Sequence, residues 1–393
     1  MSTNEDNLIS FPSDSWDELG GEYRLVEDDD KPAMTYWQDV WRRFRQNILA
    51  IVGAIIIFII ILVATFGPYL SNYSYSQQDL NYAALPPRLD IRKINDKSYI
   101  YIHNSLRAYK STADGILQEY MPLKSNDYIN RKAVLEFDGE TLTIDYNFKP
   151  FKVFAKSGNE IVVFDKVFNK LYLFGTDDLG RDLLIRVIYG ARISLIIGFV
   201  SSLVNLTIGV FYGGIAGYLG GNIDNAMMRI IDIMRSIPRL LYVIIFMIIF
   251  GSGLKTVAVT IGLVYWLGMA RIVRGQVLSL KEQEFILAAK TIGAGTNRIL
   301  LKHLIPNAMG PIIVVAAMQI PSAIFTEAFL SFVGLGVSAP QASWGTLCND
   351  ALTGIATNTY QLFFPAMAIS VTVLAFNFLG DGLRDSLDPR LRK

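Results

Sequence analysis

The residues able to do chemistry in this sequence are few, and their spacing rules out more than it allows. The nearest approach to a phosphate-binding loop is GSGLKT at residues 251–256, but Leu254 stands where a glycine must precede the lysine. His103, His303 and the single cysteine, Cys348, are scattered along the chain with no metal-ligand spacing, and no Ser-His-Asp arrangement suggests itself. Nothing here points to an enzyme, so work against a gradient would need its energy from another chain. GTDDLGRD at residues 175–182 offers Asp177, Asp178 and Asp182 to a cation, although Gly175 and Gly180 suit a packed turn better. Glu327 stands one residue past the uncharged run 304–326. A carboxylate at membrane depth is costly unless it faces a wet cavity or a partner, which makes Glu327 a pathway or gate candidate. The plainer alternative is solvation at the outer interface.

These residues need elements to hold them, and composition says which. The chain has 393 residues, 52% hydrophobic and 18% charged, with a mean hydropathy of +0.34. That is too apolar for an ordinary soluble domain. Runs free of Asp, Glu, Lys and Arg cover 48–66, 193–218, 240–254, 256–270, 304–326 and 362–379. A helix needs roughly 20 apolar residues to cross about 30 Å of hydrocarbon. Four runs satisfy this directly, and the third and fourth lengthen toward Arg239 and Arg271. The expected fold is therefore an all-α multi-pass membrane protein of six transmembrane helices.

Basic residues set its orientation. Arg42, Arg43 and Arg45 precede the first run, and Arg229, Arg235 and Arg239 lie between the second and third. Arg271, Arg274, Lys281, Lys290, Arg298 and Lys302 follow the fourth, and Arg384, Arg390, Arg392 and Lys393 follow the sixth. The short connections on the other side hold Lys255 alone. The positive-inside rule puts both termini in the cytoplasm. Asp232 and Arg235 then read as solvated at the inner interface, and Trp344 as part of the outer aromatic belt. A net charge of +1 gives no argument for a nucleic-acid partner.

Residues 1–35 are acidic and poor in apolar side chains, and are expected to be a disordered cytoplasmic tail. Nothing in them resembles a cleavage site, so the first span reads as a retained anchor. Residues 36–88 combine YWQDVWRRFRQN, suited to an interfacial helix against membrane lipid, with that first span. Residues 89–172 alternate apolar and polar side chains around Asp138-Gly139 and Ser157-Gly158-Asn159, predicting a small β-rich extracytoplasmic domain of hairpins. Residues 173–393 form the remaining transmembrane body.

The segment 279–307, SLKEQEFILAAKTIGAGTNRILLKHLIPN, interrupts that body on its cytoplasmic side. Ser279 and Glu282 fit a capping box. Phe285, Ala288, Ala289 and Ile292 fit one narrow helical face with small residues at its centre. Gly293 and Gly295 can end that helix, Thr296 can cap a second, and Pro306 restricts its continuation. Helix, sharp turn, helix is the expectation, either as a docking surface for another protein or as an amphipathic segment at the lipid interface.

This segment resembles the cytoplasmic loop of integral membrane subunits of binding-protein-dependent ABC importers, whose pattern runs Glu-Ala-Ala, three residues, Gly, nine residues, Ile-x-Leu-Pro. Leu287, Ala288, Ala289, Gly293, His303, Ile305 and Pro306 occupy those positions, with Leu287 replacing the glutamate and His303 the isoleucine. Residues 42–53, 174–195, 326–345 and 379–393 narrow the resemblance to the dipeptide and oligopeptide branch, and to the second of its two permease subunits. It covers about 40–88 and 173–393, and leaves 89–172 outside as longer than the usual connection.

The resemblance implies a type I ABC importer fold in the bacterial cytoplasmic membrane. It implies a second permease subunit, two ATP-binding subunits that carry ATP and Mg, and an extracytoplasmic binding protein delivering peptide. No cofactor is expected on this chain. The docking surface would comprise Glu284, Phe285, Leu287, Ala288, Ala289, Gly293, His303 and Pro306, with Glu284 able to supply the carboxylate that Leu287 lacks. Nickel, glutathione and some sugar importers have similar permeases. An ion-driven secondary transporter would need inverted repeats and more buried ionisable residues than Glu327. A scaffold would make the β-rich domain the working part.

Overall fold

The computed structural model describes residues 35–95, 98–251, 253–337 and 340–387. The expected tail over 1–34 and the basic residues Arg390, Arg392 and Lys393 lie outside them.

Helix α1 (Tyr36–Gln46) is amphipathic, with Trp37 and Trp41 exposed, and Asn47 ends it. The Asn47 side chain then accepts the Ala50 N–H at 3.1 Å and so caps α2 (Ile48–Leu70). The body continues with α3 (Leu183–Leu219), α4 (Gly221–Ser236), α5 (Arg239–Phe250) and α6 (Leu254–Leu280). A short α7 (Glu284–Thr291) is followed by the single turn α8 (Thr296–Arg298), a π-helical stretch Ile299–Leu304 and α9 (Ile305–Phe332), the last three running together as one helix of 37 residues. Helices α10 (Trp344–Asp350) and α11 (Thr359–Leu387) complete it.

Among the described residues, five helices are long and apolar enough to cross a membrane: α2, α3, α6, the α8–α9 rod and α11. The uncharged run 240–254 does not make a straight span. It yields the 12-residue α5, about 18 Å long, which passes the same test only jointly with α4, from which it is bent by 85°. Pro238 causes the break, because it pushes Ile237 into extended backbone (ψ 134°) and cannot donate to the helix behind it. Counted as one span, the pair makes six.

Lipid gives no hydrophobic drive for one helix to seek another, so close backbone approach has to supply the contact. Helices α3 and α6 do this through Gly209, Gly213 and Gly217, which face Met269, the Ala270 carbonyl and Arg274 with Val277. A Cβ at Gly213 would collide with that carbonyl. Ser201 Oγ adds a hydrogen bond to the Ala258 carbonyl at 2.8 Å across the same seam.

Between α2 and α3 the chain forms two antiparallel sheets, the first ordered β4-β3-β2-β1-β9 and the second β5-β6-β7-β8. Their strands are β1 (Arg88–Asn95), β2 (Ser98–Ile102), β3 (Ala108–Ser111), β4 (Leu117–Met121), β5 (Ser125–Asp127), β6 (Lys132–Phe137), β7 (Glu140–Asp145), β8 (Lys152–Ala155) and β9 (Val163–Phe168). Asp138 (φ 47°) and Gly139 (φ 83°) join β6 to β7 in the left-handed turn that matches strand twist. Ile100, Leu135, Phe137, Leu142 and Ile144 share one core. The turn at 157–159 makes only a short hairpin, in which the Ala155 N–H donates to the Asn159 carbonyl at 2.9 Å and the Ile161 N–H to the Val153 carbonyl at 2.7 Å. After a lone bridge between Phe154 and Glu160 the chain leaves the second sheet, and β9 pairs with β1 from Arg88↔Phe168 to Arg92↔Val163. The first and last strands thus lie side by side, which returns the chain to α3 beside the end of α2.

Candidate functional site

At the end of the bundle away from the strands, α7 is fixed from one side only. Ile286 and Ala289 point inward and join Val273 and Val277 of α6 with Ile299, Leu300 and Leu304 in one cluster. Outward stand Phe285 at 43% exposure, Leu287 at 51% and Ile292 at 84%, with Glu284, Ala288 and Gly293 also exposed. The expected face of Phe285, Ala288, Ala289 and Ile292 is therefore divided, and only Ala289 is buried. Apolar residues are so frequent in this short helix that an alternative stripe through Ile286 fits as well, and the core under it decides.

The Ser279–Glu282 capping box does not form. Helix α6 continues through Leu280, because Val277 and Leu280 are needed to cover the same cluster, and α7 starts after Gln283 without a side-chain cap. Its other end behaves as read. Gly293 takes φ +78° and donates to the Lys290 carbonyl at 2.9 Å, while Ala294 N–H reaches back to Ala289 at 3.0 Å. Gly295, at φ −70°, precedes α8, and Thr296 is its first residue rather than its cap. Pro306 breaks nothing. The π-helical stretch lets the Ile305 N–H reach the Leu300 carbonyl, so the helix absorbs the proline's missing donor. His303 is half-buried on that stretch and Pro306 is exposed.

The base of this loop is tied to the body by charge. Arg274 forms two bonds to Asp224, at 2.5 and 2.6 Å, joining α6 to α4, and Lys281 Nζ reaches the Gly217 carbonyl at 3.3 Å. Asp232 is exposed, as expected, and also pairs with the half-exposed Arg271.

The end that carries the strands is built differently. Glu327 is fully buried. Ser331 Oγ donates to its Oε1 at 2.7 Å and Ser194 Oγ to its Oε2 at 3.3 Å. Ser331 also meets Ser343 at 3.4 Å, and the Trp344 N–H donates to Ser194 at 3.3 Å. One carboxylate therefore holds α3, α9 and the start of α10 together, and no ion pair among the described residues involves it. Trp344 is 2% exposed, its indole N–H bonded to the Val187 carbonyl at 2.9 Å. It is a core residue seated on Gly190, not part of an interfacial belt. Sequence alone could not foresee this, since 342–351 packs among the helices instead of crossing over them.

GTDDLGRD forms a packed turn closed by arginines. Gly175 and Gly180 have φ of +77° and +73° and lie against the Leu85 and Asp79 carbonyls. Asp177 accepts the Leu179 and Arg181 N–H groups at 2.9 Å each, Arg181 Nε at 2.6 Å, and an Arg186 guanidinium N–H. Arg186, 3% exposed, also reaches Asp350 at 3.4 Å. Cations of the protein thus fill the place a metal would take. No group of three metal-ligating side chains occurs among the described residues. His103 lies in the β region, its Nδ1 accepting the Ser105 N–H at 3.2 Å. Burial, with help from Arg107, lowers its pKa to about 4.

The glycine ladder on α3 and the Asp177–Arg186 pair escaped the sequence reading. Glycines at every fourth residue from 209 to 217 were the available signal for the first.

Several helices long and apolar enough to span a membrane, with a short, outward-facing helix fixed at one end of them, define a multi-pass membrane protein. Comparison with known proteins agrees. Residues 209–393 match the family described as binding-protein-dependent transport system inner membrane component, and residues 35–87 match the N-terminal TM domain of oligopeptide transport permease C. The dipeptide transport system permease protein DppC of Bacillus subtilis is 40% identical over 97% of this chain and 94% of its own. The oligopeptide transport system permease protein OppC of the same organism is 40% identical over 92% of each. The Escherichia coli K12 OppC is 48% identical over 56% of this chain and 73% of its own. Among solved structures, an inward-facing MetNI methionine ABC transporter chain is 22% identical with a TM-score of 0.42, covering 52% of this chain and 98% of its own. The chain belongs to the family of binding-protein-dependent transport system inner membrane components, and is a permease rather than an enzyme. The Bacillus match corrects one expectation, because 97% coverage cannot leave residues 89–172 outside the resemblance.

Proposed function

We propose that this chain is one of two permease subunits of an ATP-driven importer and lines the path for peptides delivered by an extracytoplasmic binding protein. ATP and Mg belong to two partner ATPase subunits, and this chain binds no cofactor. Six spans, with α4 and α5 as one broken span, would place both termini and α7 in the cytoplasm and the β sheets outside. The basic residues around α7 support that orientation.

The observation that carries the reading is the outward face of α7. Phe285, Leu287 and Ile292 are exposed on a helix whose other face is locked by Ile286 and Ala289. A rigid helix with an unfilled apolar face is a surface for a partner to grip. ATP-driven closure of the ATPases would draw such helices together, and through α6 and the α8–α9 rod would tilt the bundle between its two access states. Glu284 and Gly293 flank the grip, while His303 and Pro306 lie on the rod that receives the motion. Glu327 would keep α3, α9 and α10 moving as one body on the gate side.

Ala288→Trp tests this in the assembled transporter. Ala288 is exposed, so membrane insertion should persist, and substrate-stimulated ATP hydrolysis should fall more than about tenfold. Unchanged hydrolysis and uptake would overturn the docking role. Ala289 is unsuitable for the same test, since a bulky side chain there would displace the core.

A further inference from the structure

Arg239 is an exposed cation with a receptor-like setting. It opens α5 directly after the Pro238 break. Its guanidinium carbon lies 5.2 Å from the Tyr265 ring centroid, over the ring face. Tyr265 is near the middle of the 27-residue α6, about 16 Å from one end and about 22 Å from the other. Its hydroxyl meets Thr326 Oγ1 at 2.6 Å, and Thr326 donates onward to the Ser322 carbonyl at 2.8 Å. Pro238, Arg239, Leu240, Val243, Tyr265 and Thr326 enclose a cleft of about 300 Å³. No ion pair among the described residues involves Arg239.

If α4 and α5 form one broken span, as proposed above, the break lies within the membrane; an exposed arginine there cannot face hydrocarbon without a large cost, and broken helical backbone is tolerated only where it is buried in protein or lines a wet cavity. Snorkelling toward headgroups is opposed by the stacking on Tyr265. We infer that Arg239 receives the terminal carboxylate of a transported peptide as it passes the α4–α5 break, with Tyr265 fixing the guanidinium plane and Thr326 fixing the tyrosine. A planar fork with free donors fits a carboxylate and repels a bare metal cation. This rests on the peptide-importer reading and deepens it, since a nickel ion would find no favourable contact here.

The test uses the complete transporter in proteoliposomes, with binding protein saturated by trialanine or by trialanine amide. Saturation removes the binding protein's own preference from the rate. Arg239→Gln should slow trialanine uptake about tenfold and leave the amide and basal ATP hydrolysis unchanged. Arg239→Lys should restore part of the loss. Equal slowing of both peptides, or of neither, would overturn the inference while leaving the importer reading intact. Failure of the unaltered transporter to import either peptide would overturn the reading and the inference with it.

Discussion

The two ends of the helical body treat awkward side chains in opposite ways. At the strand-bearing end, three conspicuous side chains are buried and partnered: Asp177 with Arg181 and Arg186, Glu327 with two serines, Trp344 with the Val187 carbonyl. At the α7 end, apolar side chains that could have been buried are left outside, with Leu287 and Ile292 half or more exposed. The first pattern is that of a finished structure, in which removing one partner strands the other. The second is that of an incomplete one, in which removing a side chain costs the fold little and the complex much. Conspicuous charge is thus a poor guide to function here, and unexplained exposure a better one.

That contrast can be broken from either side. The largest effect should come from Arg186→Met, which leaves Asp177 short of a buried cation. A loss of about 3–5 kcal/mol is expected, seen as a lowered unfolding temperature in detergent; an unchanged temperature would mean the pair is dispensable. Next, Glu327→Ala should cost about 2–3 kcal/mol by leaving a cavity and two unpaired serines. Glu327→Gln, which still accepts a serine hydrogen bond, should cost much less. If uptake falls with Glu327→Gln at unchanged stability, the carboxylate's charge serves the gate itself.

His103 offers a smaller, pH-dependent effect outside the membrane. Its native pKa lies near 4, below the ordinary 6.5. Above pH 6.5 both native and unfolded forms are neutral, and on acidification the unfolded form takes the proton first. Stability therefore falls between pH 6.5 and about 4, by about 2 kcal/mol at pH 5. Hydrogen exchange of strands β2 and β3 should speed up over that window, and His103→Gln should flatten the dependence. The smallest stability effect belongs to Leu287→Ser, within about 0.5 kcal/mol. It should nevertheless reduce recovery of the ATPase chains on co-purification; full recovery would remove Leu287 from the grip.

Much of this architecture is legible in the residues. Uncharged runs mark the five long helices because lipid penalises charge strongly, and Asp138-Gly139 marks its hairpin because few residue pairs tolerate two left-handed positions. What escapes is whatever depends on a neighbour. The break at Pro238 converts an apolar run into half a span, and no count of apolar residues registers it. The inward face of α7 is chosen by Val277 and Leu300, not by α7. Trp344 looked interfacial because its flanks are loop-like, while its burial depends on Gly190 of a distant helix. The exit of β9 to the first sheet depends on β1, some 70 residues away.

That exit matters for how the protein can be rearranged. Adjacent strands stand about 5 Å apart, so a turn of two residues could splice the chain where it leaves for the sheets to where it returns. The sheets then form a detachable cassette, borne by helices whose mutual placement would survive its excision or exchange for a reporter of similar size.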